Sequence, residues 1–139
     1  MQESEIEIAF SLLNLYQTQY AQVDKFWDYF GTVSLALVAF VIGSEKATRS
    51  MKEAFAIVFG YLVFCLGNFT GLLKAQQLLN QYADEATKAI VPLKLSLDKL
   101  NPTEPMKMGL FYWAVVLAVS GGILWVTHWR NTENSATQL

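Results

Sequence analysis

The chain of 139 residues is 53% hydrophobic and only 16% charged, which makes it richer in apolar groups than a typical soluble domain. Its formal charge of -2 at pH 7 gives no general attraction to phosphate, and we exclude nucleic acid as a partner. The only cysteine, Cys65, excludes an intrachain disulfide and a zinc site built from several thiolates.

Three apolar runs are long enough to cross a bilayer, namely residues 26–43, 54–73 and 108–127, and Asp28 is the only Asp, Glu, Lys or Arg within them. As helices they would measure about 27 to 30 Å, close to the thickness of a hydrocarbon core. Aromatic residues at their ends, such as Trp27, Tyr29, Trp113 and Trp125, are typical of membrane interfaces. One such run could be a buried helix of a soluble protein, but three leave too little polar sequence to cover them. The sequence predicts an all-α integral membrane protein with three transmembrane helices.

The first helix is predicted to begin near Glu5, well before the membrane, because Ser4 and Glu7 have the spacing of a capping box. Residues 5–25 would form an extramembrane helix that continues into the first span, 26–43. Apolar residues in this stretch recur at spacings of three and four, which predicts one seam for helix packing. The seam comprises Ile6, Ala9, Leu13, Tyr16, Tyr20, Val23, Trp27 and Phe30.

The second helix is predicted to follow a short loop, residues 44–53, because Ser50 and Glu53 form another capping box. Its span, 54–73, continues into an extramembrane helix at 74–91, again with one seam. The seam comprises Leu72, Gln76, Leu79, Ala83, Ala86 and Ile90. A short loop makes consecutive helices antiparallel neighbours, so we expect the two extensions to form an antiparallel coiled hairpin outside the membrane.

The remainder of the chain is predicted to hold a connector at 92–107, the third span at 108–127 and a polar tail at 128–139, so that residues 1–139 form a single membrane domain. Leu93, Leu97 and Leu100 would share one face of a short amphipathic helix in the connector. Alternation of leucine with polar residues leaves an extended connector as the other interpretation.

Small residues line one face of the second and third spans, where they would let another helix backbone approach closely. These predicted helix-packing or oligomer faces are Ala56, Gly60, Gly67 and Gly71 on the second span, and Ala114, Ala118 and Gly122 on the third. They pack either within one chain or between chains, and the sequence leaves both open.

Asn68 is the strongest polar group predicted to lie in hydrocarbon, where an amide without a hydrogen-bond partner is costly. Thr32, Ser34 or Ser120 could supply an interhelical partner. Alternatively, Asn68 and Thr70 line a pore in an oligomer. His128, the only histidine, is interpreted as an interfacial anchor.

No catalytic set can be assembled from these residues, so we expect no enzyme, no cofactor, no metal site and no small-molecule substrate. The favoured function is protein–protein interaction, as a subunit or an inhibitor or exclusion-type factor of a membrane complex. The alternative is a homo-oligomeric pore or membrane-permeabilising effector. Expected partners are the lipid bilayer and the protein itself or another membrane protein.

The expected location is the bacterial inner membrane, but the orientation signal is divided. The loop holds Lys46, Arg49 and Lys52, whereas more basic residues lie on the other side. The flanks of the first span favour a hairpin outside the cytoplasm.

Overall fold

The protein is all-α, with three long helices and no strand among the residues that its computed structural model describes, which are 2–93, 100 and 102–136. The helices are α1 (Gln2–Gly43), α2 (Met51–Ile90) and α3 (Pro105–Ala136). Short 3-10 turns follow the first two, at Glu45–Thr48 and Val91–Leu93. All three helices are long and apolar enough to cross a membrane, which confirms the predicted fold class.

The start of α2 follows directly from its local sequence. The Ser50 backbone N–H donates to the Glu53 carboxylate at 3.1 Å, and the Glu53 backbone N–H donates to the Ser50 hydroxyl at 3.3 Å. This is the predicted capping box, and it satisfies two donors that the first turn of a helix leaves unpaired. The other predicted box is not at a helix start, because α1 already begins at Gln2 and Ser4 lies inside its first turn.

The chain divides into two compact units, each built from parts of several helices. Unit 1 comprises Met1–Trp27 and Thr70–Met108, and unit 2 comprises Asp28–Phe69 and Gly109–Leu139. The divisions fall within four residues of the predicted membrane boundaries at 26, 73 and 108. The predicted residues of the membrane spans therefore lie mostly in unit 2, and those of the predicted hairpin lie in unit 1.

In unit 1, α1 and α2 pack side by side. The Gln19 side-chain amide donates to the Ala75 carbonyl at 3.0 Å, and the Phe26 ring lies against Gly71. Since the residue number falls along α2 as it rises along α1, the two segments are antiparallel. Supercoiling of this pair, as in a coiled hairpin, stays a prediction.

The core of unit 2 is apolar and contains Val41, Ala54, Val58 and Ile123. The Ser34 and Tyr61 hydroxyls share a hydrogen bond of 2.7 Å, so α1 and α2 are also joined here by a buried polar pair. Side chains that face lipid need no protein cover, so much of each helix can remain exposed. In the most apolar 18-residue segment of α1, α2 and α3, only 17%, 22% and 17% is buried.

The last part of the chain differs from its prediction at one point. Helix α3 continues beyond residue 127 to Ala136, so much of the predicted polar tail is helical. The Thr132 hydroxyl donates to the His128 carbonyl at 3.0 Å, which uses a backbone acceptor within this extension. The predicted amphipathic helix of the connector falls largely at 94–99, outside the described residues.

Candidate interaction surfaces

The N-terminal segment of α1 exposes large apolar side chains in unit 1. We define the α1 apolar surface as Ile6, Ile8, Phe10, Leu15 and Tyr20, whose exposed fractions are 41%, 58%, 64%, 46% and 50%. At 100° per residue, Ile6, Phe10 and Tyr20 lie on one flank of the packed face of α1, and Ile8 and Leu15 lie on the other. None of the residues from Ile8 to Val23 is charged. These residues precede the predicted membrane span and would lie outside the bilayer. Water rather than lipid would therefore face them. The sequence interpretation did not single out Ile8, Phe10 or Leu15, although the uncharged stretch was a usable signal.

The predicted seam of α2 is buried throughout unit 1. Leu79 and Ala83 are each 1% exposed, and Ala86 is fully buried. Gln76, the one polar member, is also buried, and its side-chain amide donates to Asn80 Oδ1 at 3.2 Å and to the Thr103 carbonyl at 3.1 Å. Its polar group is therefore hydrogen-bonded, and the second bond attaches the connector to α2.

Along the predicted α1 seam, Ala9, Val23 and Phe30 are buried and Leu13, Tyr16 and Trp27 are half-buried, whereas Ile6 and Tyr20 are exposed. The intervening covered positions are Leu12, Gln19 and Phe26. Tyr20 thus belongs to the edge of the packed face. Burial, and secondarily the charge of Tyr20, raises the pKa of Tyr16, so its hydroxyl stays protonated at neutral pH.

The small-residue faces lie mainly on the outside of the chain. Ala56, Gly60 and Gly67 on α2 are exposed, as are Ala114 and Ala118 on α3. A Cβ added at Gly60, Gly67 or Gly122 would meet no described atom within 4 Å. Gly71 is the exception, because a Cβ there would lie 2.5 Å from Phe26 Cε1. Of the small residues predicted on α2, Gly71 therefore serves packing within the chain.

Asn68 is half-buried, and its hydrogen-bond partner is Tyr112, which was not among the predicted ones. The Asn68 side-chain amide donates to the Tyr112 hydroxyl at 3.3 Å, and that hydroxyl donates to the Cys65 carbonyl at 2.9 Å. Tyr112 is fully buried, and its ring stacks on Phe30 with the ring centroids 4.1 Å apart. The network joins α2 to α3 in unit 2.

The other predicted polar residues of the spans are placed differently. Thr70 is exposed, Ser34 is paired with Tyr61, and Thr32 is exposed. The Ser120 hydroxyl is buried and has no hydrogen-bond partner among the described residues. Asn68 and Thr70 therefore differ in exposure, and only Thr70 faces outward.

Comparison of the chain with protein-family models, with curated proteins and with solved structures finds no match.

Arg130 is a polar contact that the sequence interpretation missed. Its guanidinium donates to the Val41 and Ile42 carbonyls, at 3.2 and 3.1 Å, and to the Thr48 hydroxyl at 2.7 Å. The last carbonyls of a helix have no intrahelical partner, and a cation at that end also complements the helix dipole. Arg130 of α3 therefore caps the C-terminus of α1. In the sequence its only signal is its position, as a single cation just after the third apolar run.

The described residues contain no group of three or more His, Cys, Asp and Glu side chains placed to hold a metal ion. His128 is exposed at the end of the third predicted span, between Trp125 and Trp129, whose rings stack 6.5 Å apart. The features that remain as candidates for function are surfaces for packing against other molecules.

Proposed function

We propose that the protein is a non-enzymatic integral membrane protein that acts by binding another membrane protein through the α1 apolar surface. It would serve as a subunit of a membrane complex, or as an inhibitor or exclusion-type factor that occupies a site on one. The observation that carries the proposal is the exposure of five large apolar side chains in a segment predicted to lie outside the bilayer.

The composition of this surface supports binding to a protein. Cores of protein interfaces are depleted in charge and enriched in aromatic residues, and Phe10 and Tyr20 lie in a stretch with no charged residue at all. Fully burying a leucine or phenylalanine side chain contributes about 1.5 to 3 kcal/mol relative to leaving it in water. Phe10 and Leu15 are 64% and 46% exposed, so about half of that contribution is still available to a partner at each position.

The neighbouring segment of α2 exposes charged side chains to solvent, in contrast to the uncharged apolar side chains that α1 exposes. Its exposed positions include Lys74, Asp84, Glu85 and Lys88, and the last two form an ion pair of 2.9 Å. Exposed pairs of this kind contribute little to stability, and their charged groups remain hydrated. The asymmetry within unit 1 favours α1 as the side that meets a partner.

The test is a photo-crosslinking amino acid placed at Phe10 in cells that make the protein, with the same probe at Glu85 as the control. We expect an adduct with one defined membrane protein from position 10 and none from position 85. With the probe at Tyr20, the double variant Phe10→Ser and Leu15→Ser should lose the same adduct. If position 10 gives no adduct, or only adducts of the protein with itself, the proposal fails.

A second candidate is a homo-oligomeric pore or permeabilising effector, and the exposed small-residue faces favour it. Ala56, Gly60 and Gly67 leave the backbone of α2 accessible, and Ala114 and Ala118 do the same on α3. Helices in membranes associate through such faces because small side chains allow close approach. Thr70, which is exposed near this face of α2, would then line the pore.

Purified protein in liposomes tests this candidate through dye leakage. A pore predicts leakage that Gly67→Leu abolishes, because the larger side chain keeps the backbones apart. Leu35→Phe is the control, since it adds bulk at a position of α1 that is 73% exposed and belongs to neither small-residue face. Liposomes that stay sealed at high protein density would exclude the pore and leave the first proposal untouched.

A further inference from the structure

An open apolar groove runs between α1 and α3 within unit 2. It has a volume of about 390 Å³ and is lined by Val38, Val41 and Ile42 from α1 and by Ala118, Gly122 and Trp125 from α3. The groove is open partly because Gly122 has no side chain, and a Cβ there would meet no described atom within 4 Å. These residues belong to the predicted spans, so hydrocarbon rather than water would fill the groove.

A polar pocket of about 540 Å³ lies in the same unit, beside the loop after α1. Its lining includes three cationic side chains, Lys46, Arg49 and Arg130, and two carboxylates, Glu45 and Glu133. With all five groups ionised, the pocket has a net charge of one positive. Its charge therefore favours a ligand that has one net negative charge.

Arg130 joins the groove and the pocket. Its guanidinium lines the pocket and donates to the Val41 and Ile42 carbonyls, and these two residues line the groove. Two residues of the groove are therefore hydrogen-bonded to a cationic side chain of the pocket, at the predicted membrane boundary. A guanidinium also has more N–H groups than the three that bind Val41, Ile42 and Thr48.

We propose that unit 2 binds one anionic phospholipid, with an acyl chain in the groove and the headgroup phosphate at Arg130 and Arg49. The ligand matches both parts of the site, because it combines an apolar chain with a single net negative charge at the interface. Arginine binds phosphate through directed N–H donors as well as through charge. The inference rests on the predicted spans and is independent of the proposed function.

The protein is reconstituted in nanodiscs that contain equal molar amounts of phosphatidylglycerol and phosphatidylcholine. Native mass spectrometry then identifies the lipid that stays bound when the protein is released. We expect one phosphatidylglycerol to be retained per chain in preference to phosphatidylcholine. Arg49→Gln should weaken that retention about fivefold, the effect of one arginine near an anionic headgroup. Lys52→Gln, which removes a charge outside the pocket, should leave it unchanged.

The acyl part of the site is tested by a second matched pair. Gly122→Leu fills the groove and should abolish retention, whereas Gly121→Leu adds the same side chain at an exposed position that does not line it. Protection of Cys65 from maleimide shows that each variant is folded. Equal retention of the two lipids, or equal retention by the two leucine variants, would overturn the proposal.

Discussion

The ring of Phe26 occupies the space that any side chain at position 71 would need, since a Cβ on Gly71 would lie 2.5 Å from Phe26 Cε1. Real Cβ atoms do not approach other atoms so closely, so the ring or the helix would have to move. Gly71 therefore allows the Phe26 ring of α1 to lie directly against α2 in unit 1.

Gly71→Ala should destabilise the protein, even though alanine is the better helix former. Overpacking costs roughly 1 to 3 kcal/mol and the gain in helix propensity is about 1 kcal/mol, so Gly71→Ala should be less stable than Gly67→Ala by the whole overpacking cost. Gly67→Ala is the control, because a Cβ there meets no described atom within 4 Å and only the gain applies. Equilibrium unfolding in a detergent titration measures both. The packing argument is wrong if the two variants behave alike.

Arg130→Gln should weaken unit 2 by about 2 to 3 kcal/mol, because it removes charged hydrogen bonds to Val41, Ile42 and Thr48. Arg130→Lys should recover little of this loss, since an ammonium cannot reproduce the forked geometry. Labelling of Cys65, the single buried cysteine, provides the measurement, because the rate rises as unit 2 opens. Lys52→Gln, at an exposed position outside the pocket, should label at the wild-type rate.

Tyr112→Phe should cost about 1 kcal/mol, within the range measured for hydrogen bonds between membrane helices. The change leaves the Asn68 amide without the hydroxyl to which it donates at 3.3 Å. Tyr29→Phe is the control, since Tyr29 is 61% exposed. In a double-mutant cycle with Asn68→Ala, the effects should be non-additive. Simple additivity of the two losses would show that the two groups are not coupled.

Leu79→Ala should lower the stability of unit 1 by about 2 to 5 kcal/mol, because a side chain that is 1% exposed would leave a cavity. Leu78→Ala changes the adjacent residue, which is 38% exposed, and should have a much smaller effect. Limited proteolysis of residues in unit 1, followed over time, distinguishes the two. Equal cleavage rates would mean that the α2 seam does not hold unit 1 together.

The sequence by itself determined the helical class, the three spans and the packed face of α2. Each depends on short-range properties, namely the length of an uncharged apolar run, the spacing of Leu79, Ala83 and Ala86, and the capping pair Ser50 and Glu53. A capping box is complete within four residues, so its hydrogen bonds need no information from the rest of the chain.

Only the tertiary structure decided which side chains meet across helices. Tyr16 and Tyr20 have the same seam spacing, but the way α1 lies against α2 leaves Tyr16 half-buried and Tyr20 exposed. Asn68 had several candidate partners, and the position of α3 selected Tyr112. Arg130 binds carbonyls that are 88 and 89 residues away in the chain, and no local pattern encodes that distance. In a bilayer every apolar face of a helix is already compatible with its surroundings, so hydrophobicity cannot indicate which face is packed.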